Sequence, residues 1–256
     1  MPYRLLPLLL FLLVGIPSVA PLYSQQYHLG AITRGDTIRK EIALVFTGHE
    51  FAEGGQAILK TLTQQNSRAS FFFTGDFYRN PSFSALIFSL KEAGHYLGAH
   101  SDRHLLYCDW SQRDSLLVKK TEFIQDLLNN YREMERFGIE EEAAAYFLPP
   151  YEWYNDSIAR WTGEAGLQLI NFTPGTLSHA DYTTPSMPNY RSSRTIYQSI
   201  LKYEETSPAG LKGFLLLVHI GSGPQREDKF HLLLDNLIRE LKSKGYRFVR
   251  VDELLE

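Results

Sequence analysis

The chain has 256 residues and one cysteine, Cys108. No internal disulfide can form, so the fold must be held by its core. A basic surplus is also missing: 26 Lys and Arg stand against 29 Asp and Glu, a net charge of −3. With no cationic excess to neutralise a phosphate backbone, nucleic acid is excluded as a partner. Internal repeats, low-complexity tracts and linkers are absent, which leaves one domain. Long apolar runs are missing except in "MPYRLLPLLLFLLVGIPSVA", where Arg4 precedes an apolar stretch from Leu5 to Val14 and a small-residue end, Ser18-Val19-Ala20. That pattern reads as a secretory signal over residues 1–24, with the folded domain over 25–256. The run is shorter than the roughly 20 residues that span a bilayer, and no cysteine follows it to carry a lipid. The expected protein is exported, periplasmic or extracellular, with no stable membrane insertion once the signal is cleaved.

What is present is mostly apolar run and helical period. The runs 41–47, 69–74, 96–100, 144–148, 167–172, 214–219 and 246–251 read as strands. Between them, 54–65, 81–93, 111–137, 155–164, 191–205 and 227–244 carry helical spacing, several closed by glycine at the C-terminal cap position. Near-continuous apolar strands alternating with helices predict an α/β fold with a parallel sheet, doubly wound or closed into a barrel. Residues 173–190, with three prolines, form one long loop that reads as a site wall.

In such folds chemistry gathers where the strands end. The first strand ends in Thr47-Gly48-His49-Glu50, the third in "AHSDRH" with His100 and His104, the fourth in "LPPYEWYN", and the sixth in "VHIGSG" with His219. If the chain turns helically after the third strand, His100 and His104 lie on one face and suit a divalent ion. A third donor is available from His49 or Glu50, and His219 is placed to act as a general acid. Pro149 and Pro150 stiffen the backbone before Tyr151, whose N–H can face an oxyanion, and Glu152 adds a carboxylate. Trp110, Trp153 and Tyr154, beside polar strand ends, read as a platform for sugar rings.

These residues resemble the polysaccharide deacetylases, carbohydrate esterase family 4, over about residues 41–254. "HSDRH" meets the family's H-[S/T]-x-x-H motif, "LLLVHIG" is similar to its L-x-H motif, and "PPY" matches part of R-x-P-Y. The resemblance implies a distorted (β/α)7 barrel of parallel strands in a single domain. It also implies metal-dependent hydrolysis of acetyl groups on a polysaccharide or oligosaccharide, with zinc the expected ion, His100 and His104 as ligands, His219 as acid and Tyr151 as oxyanion donor. Two departures stand out. The family's T-F-D-D places base and ligand aspartates where this chain has Thr47 and Gly48, and Leu148 stands where an arginine orients the base. The natural repair lets His49 complete a three-histidine metal site while Glu50 serves as base. The reverse assignment stays open, Glu152 is a second candidate base, and the Asp181 region is a loose match to the family's fourth motif. Two alternatives remain: a catalytically altered carbohydrate-binding protein on the same fold, and an enzyme acting on the glycosidic bond through Glu50 and Glu152.

Overall fold

The computed structural model describes residues 25–256; the proposed signal segment lies outside the described residues. A short hairpin, β1 (Gln26–His28) and β2 (Ala31–Arg34), precedes β3 (Glu41–Gly48), α1 (Gly55–Gln64), β4 (Ser70–Phe73), α2 (Gly75–Arg79), α3 (Ser84–Glu92) and β5 (Tyr96–Ala99). Then come α4 (Lys120–Glu135), β6 (Tyr146–Phe147), α5 (Asp156–Glu164), β7 (Gln168–Leu169), α6 (Ser193–Thr206), β8 (Phe214–His219), α7 (Leu234–Ser243), β9 (Arg247–Val249) and α8 (Val251–Leu255).

The sheet runs β1-β2-β8-β3-β4-β5-β6-β7, with β9 on β3. Pairings from β8 through β3 to β7 are parallel, whereas β2 is antiparallel to both β1 and β8. The sheet curls until its ends meet: Asn171 N–H donates to the Ile32 carbonyl at 2.9 Å, and Thr173 N–H to the Leu215 carbonyl at 3.1 Å. The buried side chains sort accordingly. Ala43, Val45, Leu215, Leu217, Leu148 and Ile170 form a small cluster inside the curl. Their neighbours in sequence, Ile42, Leu44, Phe46, Leu216 and Val218, face the helices in a larger one, as the two-residue alternation of a strand requires. Val251, Leu254 and Leu255 of α8 join the inner cluster and cover its lower end.

All seven predicted strands are present. The hairpin was not anticipated; its turn places Leu29 and Gly30 at φ of 44° and 80°. The helix expected over 111–137 begins only at Lys120. The Asp109 carboxylate accepts from the Ser111 and Gln112 N–H groups, both at 2.8 Å, and so holds the chain in a turn. The short α2 and α8 also escaped periodicity.

At the lower end, His95 is buried at 7% exposure and its Nδ1 accepts the Ala69 N–H at 3.2 Å. Burial, aided by the charges of Arg68 and Arg250, pulls its pKa from 6.5 to about 4. Above pH 6.5 the imidazole is neutral in both the folded and unfolded chain. Below that value the unfolded state gains a proton that the folded state refuses until about pH 4, so stability falls across this window. Denaturant unfolding at pH 7.5 and 4.5 is expected to show wild type losing about 2–3 kcal/mol more than His95→Gln; equal losses would contradict this.

Candidate active site

The C-terminal ends of the strands open into a cleft of about 880 Å³. Six of the eight histidines line it: His49, His100, His104 and His219, together with His28 and His179, which the sequence did not single out. Parallel register brings the first group together, since Thr47 of β3 pairs with His219 of β8 and Gly48 with Phe73 of β4.

His49 and His104 stack, with ring centroids 4.8 Å apart and planes 11° from parallel, and His104 lies 5.1 Å from His100. The segment 101–104 is not helical. Left-handed backbone at Ser101 (φ 75°) and His104 (φ 55°) folds it instead, so the two histidines meet by turns rather than by helical spacing. His100 donates its Nδ1–H to the Leu148 carbonyl at 2.8 Å, which leaves Nε2 unprotonated. Its own backbone N–H is fixed on the Asn130 side chain. Burial, with the neighbouring histidines adding to it, lowers His100 to about 3 and His104 to about 2. His49 Nδ1 meets the Thr74 hydroxyl at 3.0 Å.

Gly48 explains why no aspartate stands at that position. A Cβ there would lie 2.8 Å from Ile220, 2.9 Å from Phe73 and 3.0 Å from Phe77, closer than packed carbons allow. Among the described residues no group of three or more His, Cys, Asp or Glu side chains is set as a ready-made metal cage. The donor chemistry nonetheless fits a divalent ion: imidazole nitrogens held neutral at His100 and His104, and a backbone carbonyl orienting His100.

The same cleft holds a pair that includes an aspartate. His219 donates Nδ1–H to Asp181 at 2.7 Å, and its backbone N–H reaches the other carboxylate oxygen at 2.9 Å. Burial alone would depress His219, but the buried Asp181 carboxylate overrides it and raises the imidazole above its ordinary value. Asp181 sits in the 173–190 loop, which carries no periodicity, and only its neighbourhood is a loose match to a further family motif. Glu152 is half-buried in the cleft; loss of solvation pushes its carboxyl up to about 7, His219 opposing and Asp181 reinforcing. Glu50 lies at the exposed rim. Tyr151 and Glu152 both hold left-handed backbone, φ 58° and 53°, a conformation that costs about 1–3 kcal/mol at each non-glycine residue. Asn171 donates to the Glu152 carbonyl at 2.8 Å and Glu152 N–H closes back on Pro149 at 3.1 Å, while Tyr151 heads the turn.

One wall is aromatic. Trp110, 55% exposed, stands 5.5 Å from Tyr151 and 5.4 Å from Trp153, and the Arg113 guanidinium lies 4.0 Å over Trp153. Tyr154, expected in this platform, is fully buried and donates its hydroxyl to the His28 carbonyl, so it braces the wall from behind.

A peptidoglycan-N-acetylglucosamine deacetylase of Bacillus cereus is 28% identical over 217 residues, 84% of this chain and 88% of that protein. The structure of Bacillus subtilis PdaA, a family 4 carbohydrate esterase, matches with a TM-score of 0.67 at 22% identity over 88% of this chain and 85% of that one. A pseudoenzyme of the same family from Bacillus anthracis matches with a TM-score of 0.68 at 18% identity over 90% of this chain and 70% of that one. At such identities the two structural likenesses speak for the fold. The polysaccharide deacetylase profile matches residues 34–170, more than half of the sequence, and the chain belongs to the polysaccharide deacetylase family, the family 4 carbohydrate esterases.

Proposed function

We propose that the protein is an exported hydrolase that removes N-acetyl groups from peptidoglycan, as the name of the Bacillus cereus relative suggests. The observation that carries this reading is the meeting, in one cleft, of the His49, His100 and His104 rings with the Asp181-held His219. His49, His100 and His104 would hold the divalent ion, zinc by donor type. Such an ion, when bound, polarises the acyl carbonyl and makes water acidic near neutral pH.

The remaining work falls to the chain's own groups. Glu152, half-buried and electrostatically coupled to His219 and Asp181, takes the proton of the attacking water. Glu50, at the solvent rim, is the alternative base. The Tyr151 N–H donates to the developing oxyanion, a contact of a kind worth about 3 kcal/mol. His219, charged and held by Asp181, gives its proton to the leaving amine. Trp110 and Trp153 supply a flat face for a pyranose ring. Among the described residues no helix is long and apolar enough to cross a membrane; the proposal of export rests on the signal pattern over residues 1–24.

Acetate release from acetylated peptidoglycan is the test. Wild type is expected to release acetate without shortening the glycan. Glu152→Gln should lose about 10²-fold or more in kcat, the contribution of a positioned base, and Glu50→Gln little; the reverse order would make Glu50 the base. Binding without turnover by wild type would favour the carbohydrate-binding alternative suggested by Thr47 and Gly48. Trp110→Ala should raise KM about 2–10-fold with kcat unchanged, as loss of a stacking face does; an unchanged KM would remove Trp110 from the substrate site.

A further inference from the structure

Arg226 is fully buried. Among the described residues its one carboxylate partner within 4 Å is Asp228 at 3.7 Å, and that side chain is 43% exposed. An interior guanidinium without a close counter-ion is expensive unless every donor is used. Here four of the five N–H donors are used, three on backbone carbonyls and one on a side-chain hydroxyl. Nη1 donates to the Thr183 carbonyl at 2.5 Å, Nη2 to the Arg191 carbonyl at 3.0 Å and to Ser193 Oγ at 3.1 Å, and Nε to the Asp228 carbonyl at 2.6 Å. Tyr190 lies 5.3 Å from the guanidinium and covers it.

The two stretches joined in this way are not neutral choices. Thr183 lies two residues after Asp181, in a tight turn where Thr183 N–H and Oγ1 both bond the Ala180 carbonyl, at 3.0 and 2.6 Å. Arg226 itself sits seven residues beyond His219, on the loop that leaves β8. The contacts therefore close a ring: His219 to Asp181, Asp181 through its turn to Thr183, Thr183 to Arg226, and Arg226 back along the chain to His219. The same turn carries Tyr182, whose ring is 5.1 Å from that of His219.

We infer that Arg226 is a positioning residue, a buried clamp that holds the 178–193 strap so that Asp181 stays on His219. The kinetic part rests on the reading of His219 as the acid, but the clamp can be read without activity. Lysine in its place keeps the charge yet cannot reproduce a planar fork aimed at separate carbonyls.

The test uses the whole chain with 15N-labelled histidine. The low-field Nδ1–H resonance of His219 is assigned by its loss in Asp181→Asn, and acetate release is measured alongside. Arg226→Met is expected to lose or shift that resonance and to lower kcat by about tenfold or more, part of the about 10²–10⁴-fold given by a positioned acid. KM should stay within about twofold. Asp181→Asn/Arg226→Met should be no slower than Asp181→Asn alone, because the second change acts through the first. Should the Met variant fail to fold, Arg226→Lys is expected to weaken the resonance in a chain that still melts cooperatively. A retained resonance in either folded variant, or losses that multiply in the double variant, would overturn the clamp. A wild type that shows the resonance but releases no acetate would sink the deacetylase reading and leave the clamp to be judged on the resonance.

Discussion

The register between β3 and β8 is the constraint that sets the site. Six consecutive parallel pairs, from Ile42 with Phe214 to Thr47 with His219, bring both strands to an end at the same height. The loops beyond them then share one rim, and His219 comes to face the histidines that lie past β3 and β5. A one-residue slip would turn every side chain of the strand to the opposite face. A slip of β3 would move Ala43 and Val45 out of the inner cluster, and a slip of β8 would move His219 out of the cleft.

That geometry bears on the stretch that stands where the family's first motif is expected. Gly48 is packed against Ile220, Phe73 and Phe77 so closely that no side chain fits, and Thr47 is buried with its hydroxyl unpartnered. His49, one residue beyond the strand, carries an imidazole into the cleft, steadied by Thr74 and by its stack on His104. The half-buried and buried carboxylates of the site, Glu152 and Asp181, are grouped with His219 instead, while Glu50 stays at the exposed rim. On the proposed reading the site is divided between imidazole donors, His49, His100 and His104, and an acid–base set, His219 and Glu152.

Much of this was legible in the residues. Apolar runs marked all seven parallel-sheet strands, because strands buried on both faces leave no polar alternation to confuse them. The polar residues just beyond the strand ends pointed to His49, His100, His104, His219, Tyr151 and Glu152. What remained hidden depended on distant partners. Asp181 is recognisable only by His219, 38 residues away in the chain, and Arg226 only by the carbonyls it collects. The β1–β2 hairpin was too short to stand out, and the Asp109 side chain stopped a helical pattern that polar spacing alone suggested. Tyr154 was misplaced for a related reason: an aromatic next to polar residues is equally suited to a wall or to its support, and only its burial separates the two.

On the proposed reading, three histidines form the metal-holding wall, with His49 in place of a carboxylate. Adding cobalt(II) to metal-free protein and recording its visible absorption probes that wall without recourse to turnover. The expected result is stoichiometric binding with ligand-field bands that vanish in His100→Ala and His104→Ala and weaken or shift in His49→Ala. A spectrum unchanged in His49→Ala, or no binding by the wild-type chain, would refute the three-histidine wall.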